Sequence, residues 1–309
     1  MRTNDVVCVG SVFLDYVVSL ESIPKKPIKV KAKRIEKKLG GSAAVASFTI
    51  KRLGVQSEFV GRFGDDDGSN FLKSEFDYFN VNYKKSLSIK KSFSSQSYVF
   101  QDSKGERLLA AYNEKRLLAN KSLPEFIFSN KKTYLVDLSW IEAACCIAKK
   151  THGKKINCIA DMDNFKKNKK IEQIVNKVSH PIFSETGLFE YTKIKSIIRS
   201  LKYLYNKKNK FYGVTLGSKG VYWVDNNVIY HCLAPKIKAV ETNGAGDVFH
   251  GAFAAFIHQK MTIEESVELA TATASLKCTK AGGIRSVPNY KSVKQFVKKI
   301  KTSAVGRII

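Results

Sequence analysis

Short apolar runs separated by helical patterns constrain this chain more than any other feature. Val6–Gly10, Glu58–Gly61, Thr133–Asp137, Ile156–Asp161, Pro181–Glu185 and Tyr212–Leu216 each read as a buried strand. Between them Leu72, Phe76 and Phe79 recur at helical spacing. So do Ile263, Val267, Ala270 and Ala274, behind a capping box of Thr262 and Glu265. Strand and helix in turn along most of a chain predict an α/β fold, a mainly parallel sheet covered by helices. Ligands of such sheets gather at the carboxyl ends of the strands. Two segments break the rhythm. Ile28–Lys38 alternates polar and apolar residues, and Ser92–Asp102 with Arg107–Tyr112 reads as a hairpin turning at 103–105. They predict a small second sheet with one wet face. With no repeat and no proline-rich linker, the expectation is one domain over residues 1–309 carrying a β appendage from about 11–18, 28–38 and 92–112.

Composition removes several classes of function. Hydrophobic residues make up 44% of 309 and charged residues 26%, enough apolar material for a core. No apolar run reaches the roughly 18 residues of a membrane helix, so no membrane partner is expected. The apolar start is interrupted by Asp15 and lacks a small-residue cleavage site, which argues against a secretory signal. A net charge of +26 suggests nucleic acid, but only nine of the 53 basic residues are arginine. The lysines are scattered in pairs such as Lys25-Lys26 and Lys298-Lys299, without interleaved aromatics. A solvated lysine surface is the reading, with no nucleic-acid partner and a mild attraction for anionic small molecules. The cysteines at 8, 145, 146, 158, 232 and 278 have neither zinc nor disulfide spacing, and point to a reducing cytoplasm.

The chemistry concentrates in Glu241-Thr242-Asn243-Gly244-Ala245-Gly246-Asp247-Val248-Phe249-His250-Gly251. A Gly-Ala-Gly turn runs straight into an apolar helix. Small residues admit a ligand close to the backbone, and the first helical turn offers unpaired N–H groups to an anion. Asp247 stands in that turn. A carboxylate there repels phosphate unless its task is to take a proton from an attacking hydroxyl; with an ordinary pKa near 4 it is ionised at neutral pH. Taken alone, the string is equally a helix start with Asp247 as a cap.

The string resembles the C-terminal D-T-x-G-A-G-D signature of the ribokinase-like sugar kinases, the PfkB family. Gly40-Gly41 with the small-residue stretch to Leu53-Gly54, Gly61-Arg62-Phe63-Gly64-Asp65, and Thr215-Leu216-Gly217-Ser218-Lys219-Gly220 resemble three further blocks of that family, in family order. The resemblance implies a three-layer α/β/α sandwich with a small β-sheet lid, and transfer of phosphate from ATP to a primary hydroxyl of a sugar. It implies Asp247 as the base, with Gly244, Ala245 and Gly246 as the anion hole. Asp15, Gly40, Gly41 and Ser97 would bind the sugar; Thr215, Gly217, Gly220 and Gly283 would bind ATP. Mg2+ would bridge the phosphates, with Glu185 holding it through water. His250 is expected to pack rather than react, and Asp161 and Asp163 read as loop residues.

Within the family, Ser94-Ser95-Gln96-Ser97, Phe183-Ser184-Glu185 and Asp247-Val248-Phe249-His250 resemble the sulfofructose kinase and fructokinase-like branches, implying a ketohexose-like acceptor such as fructose or sulfofructose. Ser139 stands where that branch has an arginine for the sulfonate, which favours a neutral sugar or a differently placed anion. Glu241 replaces the aspartate that in relatives helps bind a monovalent cation. Relatives dimerise through their lids, so a homodimer is an expected partner arrangement. A ribokinase, a nucleoside kinase and a non-catalytic sugar sensor of the same fold are the alternatives; the last predicts loss of Asp247 or of its glycines, and all are present.

Overall fold

Val6 and Cys8 point to one side of the first strand and Val7 and Val9 to the other, and all four are buried. A strand covered on both faces belongs inside a helix-flanked parallel sheet. The computed structural model describes residues 5–102, 107–126, 128 and 132–308.

In chain order the elements begin β1 (Val6–Gly10), β2 (Phe13–Ser19), β3 (Arg34–Gly40), α1 (Ser42–Arg52), β4 (Ser57–Phe63), α2 (Asp67–Tyr78), β5 (Leu87–Ser88), β6 (Gln96–Gln101) and β7 (Arg107–Tyr112). They continue with α3 (Lys115–Ala119), β8 (Thr133–Val136), α4 (Ile141–Thr151), β9 (Asn157–Met162), α5 (Lys169–Lys177), β10 (His180–Ser184), α6 (Glu185–Thr192) and α7 (Ile197–Lys207). The last are β11 (Tyr212–Thr215), β12 (Val221–Asp225), β13 (Val228–Leu233), α8 (Ala245–His258), α9 (Ile263–Cys278), α10 (Tyr290–Phe296) and β14 (Lys301–Arg307).

The main sheet has ten strands in the order β14-β13-β12-β11-β10-β9-β8-β1-β4-β5. From β5 to β11 the pairing is parallel, and β12, β13 and β14 extend it antiparallel. Period-two alternation divides the core. Val6, Cys8, Phe59 and Leu135 pack with Phe48, Phe76, Phe253 and Phe256 under α1, α2 and α8. Val7, Val9, Val60 and Val136 pack on the other face with Trp140, Ile171 and Leu201 from the α4–α7 side. Helix, sheet and helix make the three layers. Among the described residues no helix is long and apolar enough to cross a membrane.

The second sheet, β3-β2-β6-β7, is where the broken rhythm foretold it. The segment expected at 28–38 is shifted: the strand runs Arg34–Gly40, and residues 28–33 carry no strand. The reason is length, because β2 supplies pairing partners only from Phe13 to Ser19, and Ser19 meets Arg34. The hairpin turn read at 103–105 lies outside the described residues. Asp15, Val17, Ser97 and Val99 fall on one face of this sheet by register, and Tyr16, Tyr98 and Leu108 on the other.

Phe76 is fully buried against the rings of Phe48, Phe59, Phe63 and Tyr83. Replacing it by alanine removes a ring from four neighbours that cannot all collapse inward. Phe76→Ala should cost about 3–5 kcal/mol of unfolding free energy in a urea titration; a loss near zero would show that α2 is not anchored there.

Candidate active site

Two cavities meet at the start of α8. The smaller, about 230 Å³, lies between the small sheet and the carboxyl ends of the main strands, and is lined by Asp15, Gly40, Gly41, Ser97, Gly244 and Asp247 among others. The larger, about 780 Å³, lies over β11 and β12 and is lined by Thr215, Gly217, Gly220, Ala245, Gly246 and Phe249 among others. The glycine turn is the partition between them.

On the small-cavity side, β2 places Asp15 directly opposite Ser97 of β6, whose hydroxyl donates to Asp15 Oδ1 at 2.6 Å. A Cβ on Gly40 would fall 2.2 Å from Asp15 Oδ2, so glycine is what leaves room for this carboxylate. Burial pushes Asp15 up to about 6; Asp247 adds to the rise, while Ser97 and Lys38 oppose it.

Gly244 caps α8 in the left-handed region, at φ +71°, where a side chain would be strained. The Ala245 N–H donates to the Thr242 carbonyl at 3.2 Å. Of the three amides assigned to the anion hole, this one is already engaged by its own turn. Asp247 follows in the first helical turn, and it is not the ordinary carboxylate the sequence suggested. Burial raises its pKa, and the charges of Asp137 and Asp163 add to the effect, against a hydrogen bond from Ser42 and the nearby His250. His250 packs beneath the turn, its Nδ1–H donating to the Gly246 carbonyl at 2.8 Å and lying 3.6 Å from Asp161 Oδ2. Burial lowers the histidine and raises Asp161, with the charges of Asp247, Asp137 and Asp163 adding to the rise of Asp161.

Asp161 and Asp163 are therefore more than loop residues. Both stand at the end of β9 where Asp247 feels Asp163 and Asp161 feels Asp247. Asp163 accepts from the Ser184 hydroxyl at 2.6 Å, beside Glu185, which opens α6 and is exposed. Gly283 parts company with the other residues assigned to ATP: it lines the small cavity, and its N–H donates to Glu241 Oε1 at 2.9 Å.

Two groups add to the residues assigned from the sequence, where only Glu241 among them was noted, at the family's cation position. Asp137, at the end of β8, accepts from Ser11 N–H (2.8 Å), the Ser11 hydroxyl (2.7 Å), Ala43 N–H (3.1 Å) and Ser139 N–H (2.9 Å). It ties the turn after β1 to the start of α1. The Ser139 side chain is also bonded to Asp137, and Ser139 borders a separate surface hollow with Glu142 and Lys170. It is not among the residues that line the small cavity. Arg62 covers this corner instead, over the Trp140 ring at 4.8 Å and donating to the Ser139 carbonyl at 3.1 Å. The second group is Glu241 with Lys38 and Lys277, all three on the wall of the small cavity. Burial pushes Glu241 up, but the two lysines and the Gly282 amide outweigh it and hold its carboxylate below the usual range.

A large, mostly parallel sheet with a small sheet over the ends of its strands is the ribokinase-like fold. The chain belongs to the pfkB family of carbohydrate kinases, matching that family's description over residues 3–289. It is 23% identical over 308 residues to the nucleoside kinase of Methanocaldococcus jannaschii, covering 96% of this chain and 98% of that one. To the ribokinase of Staphylococcus aureus it is 20% identical over 306 residues, covering 95% and 99%. The structure of Arabidopsis thaliana ribokinase complexed with ribose and ATP superposes with a TM-score of 0.82 at 24% identity, over 96% of this chain and 99% of that one. The protein is thus a sugar or nucleoside kinase of this family.

The raised pKa of Asp15 carries a stability consequence. Ionising it costs the folded state, so its contribution is fully present below the ordinary aspartate value of about 4 and is lost as pH rises through about 6. Asp15→Asn should make the ligand-free protein more stable than the parent above that range, by on the order of 2–3 kcal/mol. The difference should shrink toward acid in paired unfolding curves. Parallel pH profiles for the two proteins would refute the shift.

Proposed function

We propose that the protein transfers the γ-phosphoryl group of ATP to a primary hydroxyl of a neutral monosaccharide held between Asp15 and Asp247. The observation that carries this reading is the position of Asp247, a buried carboxylate in the glycine turn that separates the two cavities.

The larger cavity is of a size suited to a nucleotide, and Thr215, Gly217 and Gly220 are its strand-end and turn residues. The smaller one falls below the usual range of drug-sized pockets, which favours a monosaccharide over a nucleoside. Its wall cations, Lys38 and Lys277, both pair with Glu241, which leaves a sulfonate or phosphate without a partner there and favours a neutral acceptor. A ketohexose such as fructose is the acceptor class drawn from the sequence strings, and the ribokinase relatives make ribose its competitor.

In the reaction Asp15 accepts hydrogen bonds from sugar hydroxyls, a charge-assisted contact that also orients the ring. Asp247 takes the proton of the attacking hydroxyl as its oxygen bonds to the γ-phosphorus. The bond from that phosphorus to the bridging oxygen breaks, and ADP leaves. The amides of Gly244 and Gly246, at the positive end of α8, face the charge on the transferring group. Ala245 joins them once its N–H is released from Thr242. No three His, Cys, Asp or Glu side chains converge as a metal cage among the described residues, which suits magnesium held mainly by phosphate and water. Asp163 and Glu185 are the carboxylates we assign to it, through water; when bound it neutralises phosphate charge. The inner face of the small sheet roofs the acceptor and excludes water.

Asp247→Asn should leave ATP binding intact by calorimetry and lower kcat by about 10²–10⁴-fold. The acid limb of kcat/KM in the parent should lie above the ordinary aspartate range, since the base must be ionised and burial opposes that. A variant with near-parental turnover would remove Asp247 from the chemistry. An ADP-release screen over fructose, ribose, sulfofructose, aminosugars and nucleosides separates the acceptors.

The outer face of the small sheet leaves Ile35, Tyr98 and Leu108 exposed at 65%, 41% and 57%. We assign that face to a second copy of the chain. Light scattering should return a dimer mass that Leu108→Lys reduces to a monomer; a parental monomer would overturn it.

A further inference from the structure

Lys277, in the last turn of α9, has a side chain only 1% exposed. Its ammonium donates to the Glu241 carbonyl at 3.1 Å, to Glu241 Oε1 at 3.3 Å, and to the Asn243 carbonyl. Three donors thus meet oxygens of residues 241 and 243, immediately before the Gly244 cap. Glu241 is saturated from the other side. Its Oε2 accepts from Lys38 Nζ at 3.0 Å and Gly282 N–H at 3.2 Å, and its Oε1 from Gly283 N–H at 2.9 Å. One carboxylate therefore answers two ammonium groups and two amides behind the glycine turn, and Lys38 also meets Glu36 at 3.8 Å.

Carbonyl oxygens and a carboxylate curled around one buried positive centre form the setting an alkali cation would take. Here the centre belongs to the chain. The residues around Glu241 do not fit a free monovalent cation, because the Lys277 ammonium already uses their oxygens.

We propose that Lys277 is a tethered monovalent cation: its ammonium holds residues 241–243 so that the following amides face the phosphoryl group, and it frees the enzyme from potassium. The inference rests on the kinase reading for its effect on turnover, though not for its effect on ion binding. Lys277 is a positioning residue, since it acts through the turn. Being covalently attached, it is not lost at low salt, as a bound ion would be.

The test compares potassium chloride with choline chloride. The parent protein should show the same kcat and the same melting temperature in both. Lys277→Met, which keeps length and loses charge, should lower kcat by about 10²-fold, the scale of losing one oxyanion donor. Potassium or methylammonium should restore part of that rate and raise the variant's melting temperature. A merely structural lysine would give no ion-specific rescue. Potassium stimulation of the parent, or a folded Lys277→Met with parental kcat, overturns the proposal. If Lys277→Met does not fold, the potassium response of the parent decides alone. If the parent phosphorylates nothing in the acceptor screen, the kinase reading fails, and the melting temperatures still decide whether Lys277 stands in for an ion.

Discussion

Like charges crowded at low dielectric are the constraint to which the rest of this structure answers. Asp15, Asp137, Asp161, Asp163 and Asp247 gather at the carboxyl edge of the sheet, and several raise one another's pKa. Burying such a cluster is costly unless its oxygens are hydrogen-bonded, and most of them are, with Asp161 Oδ1 the exception. Asp137 is answered by three backbone amides and hydroxyls, Asp163 by Ser184, and Asp15 by Ser97. Most of the compensation comes from dipoles rather than from the lysines that give the protein its charge of +26.

The same turn that completes this edge divides the binding space. Gly244 and Asp247 face the smaller cavity while Ala245 and Gly246 face the larger. Four successive residues thus border both cavities, and their geometry depends on neighbours distant in sequence. Asp137 anchors the β1 turn and the α1 start, and Lys277 reaches across from α9 to carbonyls just before the cap.

What was legible in the sequence follows from range. Strands β1, β4 and β8–β11 announce themselves through local apolar runs, and the helix of Thr262 through its capping box. The glycine turn and Asp247 are contiguous, so a motif captures them. The hairpin of β12 and β13 is also written locally: Asn226 and Asn227 both take positive φ, as a tight two-residue turn requires. Strand β14 carries no comparable mark, because pairing with β13 is what makes it a strand. The roles of Asp137 and Lys277 depend on partners more than 30 residues away. A partial signal existed for Lys277, which falls seven residues after Ala270 and so continues the buried stripe of α9. Gly283 was placed with the nucleotide by its neighbourhood in sequence, and only the fold turns its amide to Glu241.

The small cavity is built from two kinds of material. Its floor is the shared turn and the strand ends, where any change disturbs both substrates. Its roof is the inner face of a four-stranded sheet, from which Val17, Val99, Gln101, Leu109 and Ala111 hang above the acceptor. These five residues belong to elements other than the one that carries Gly244–Asp247. A lineage built on this plan can therefore trade one carbohydrate for another by redecorating its ceiling, and retain an inherited reaction while its diet diverges.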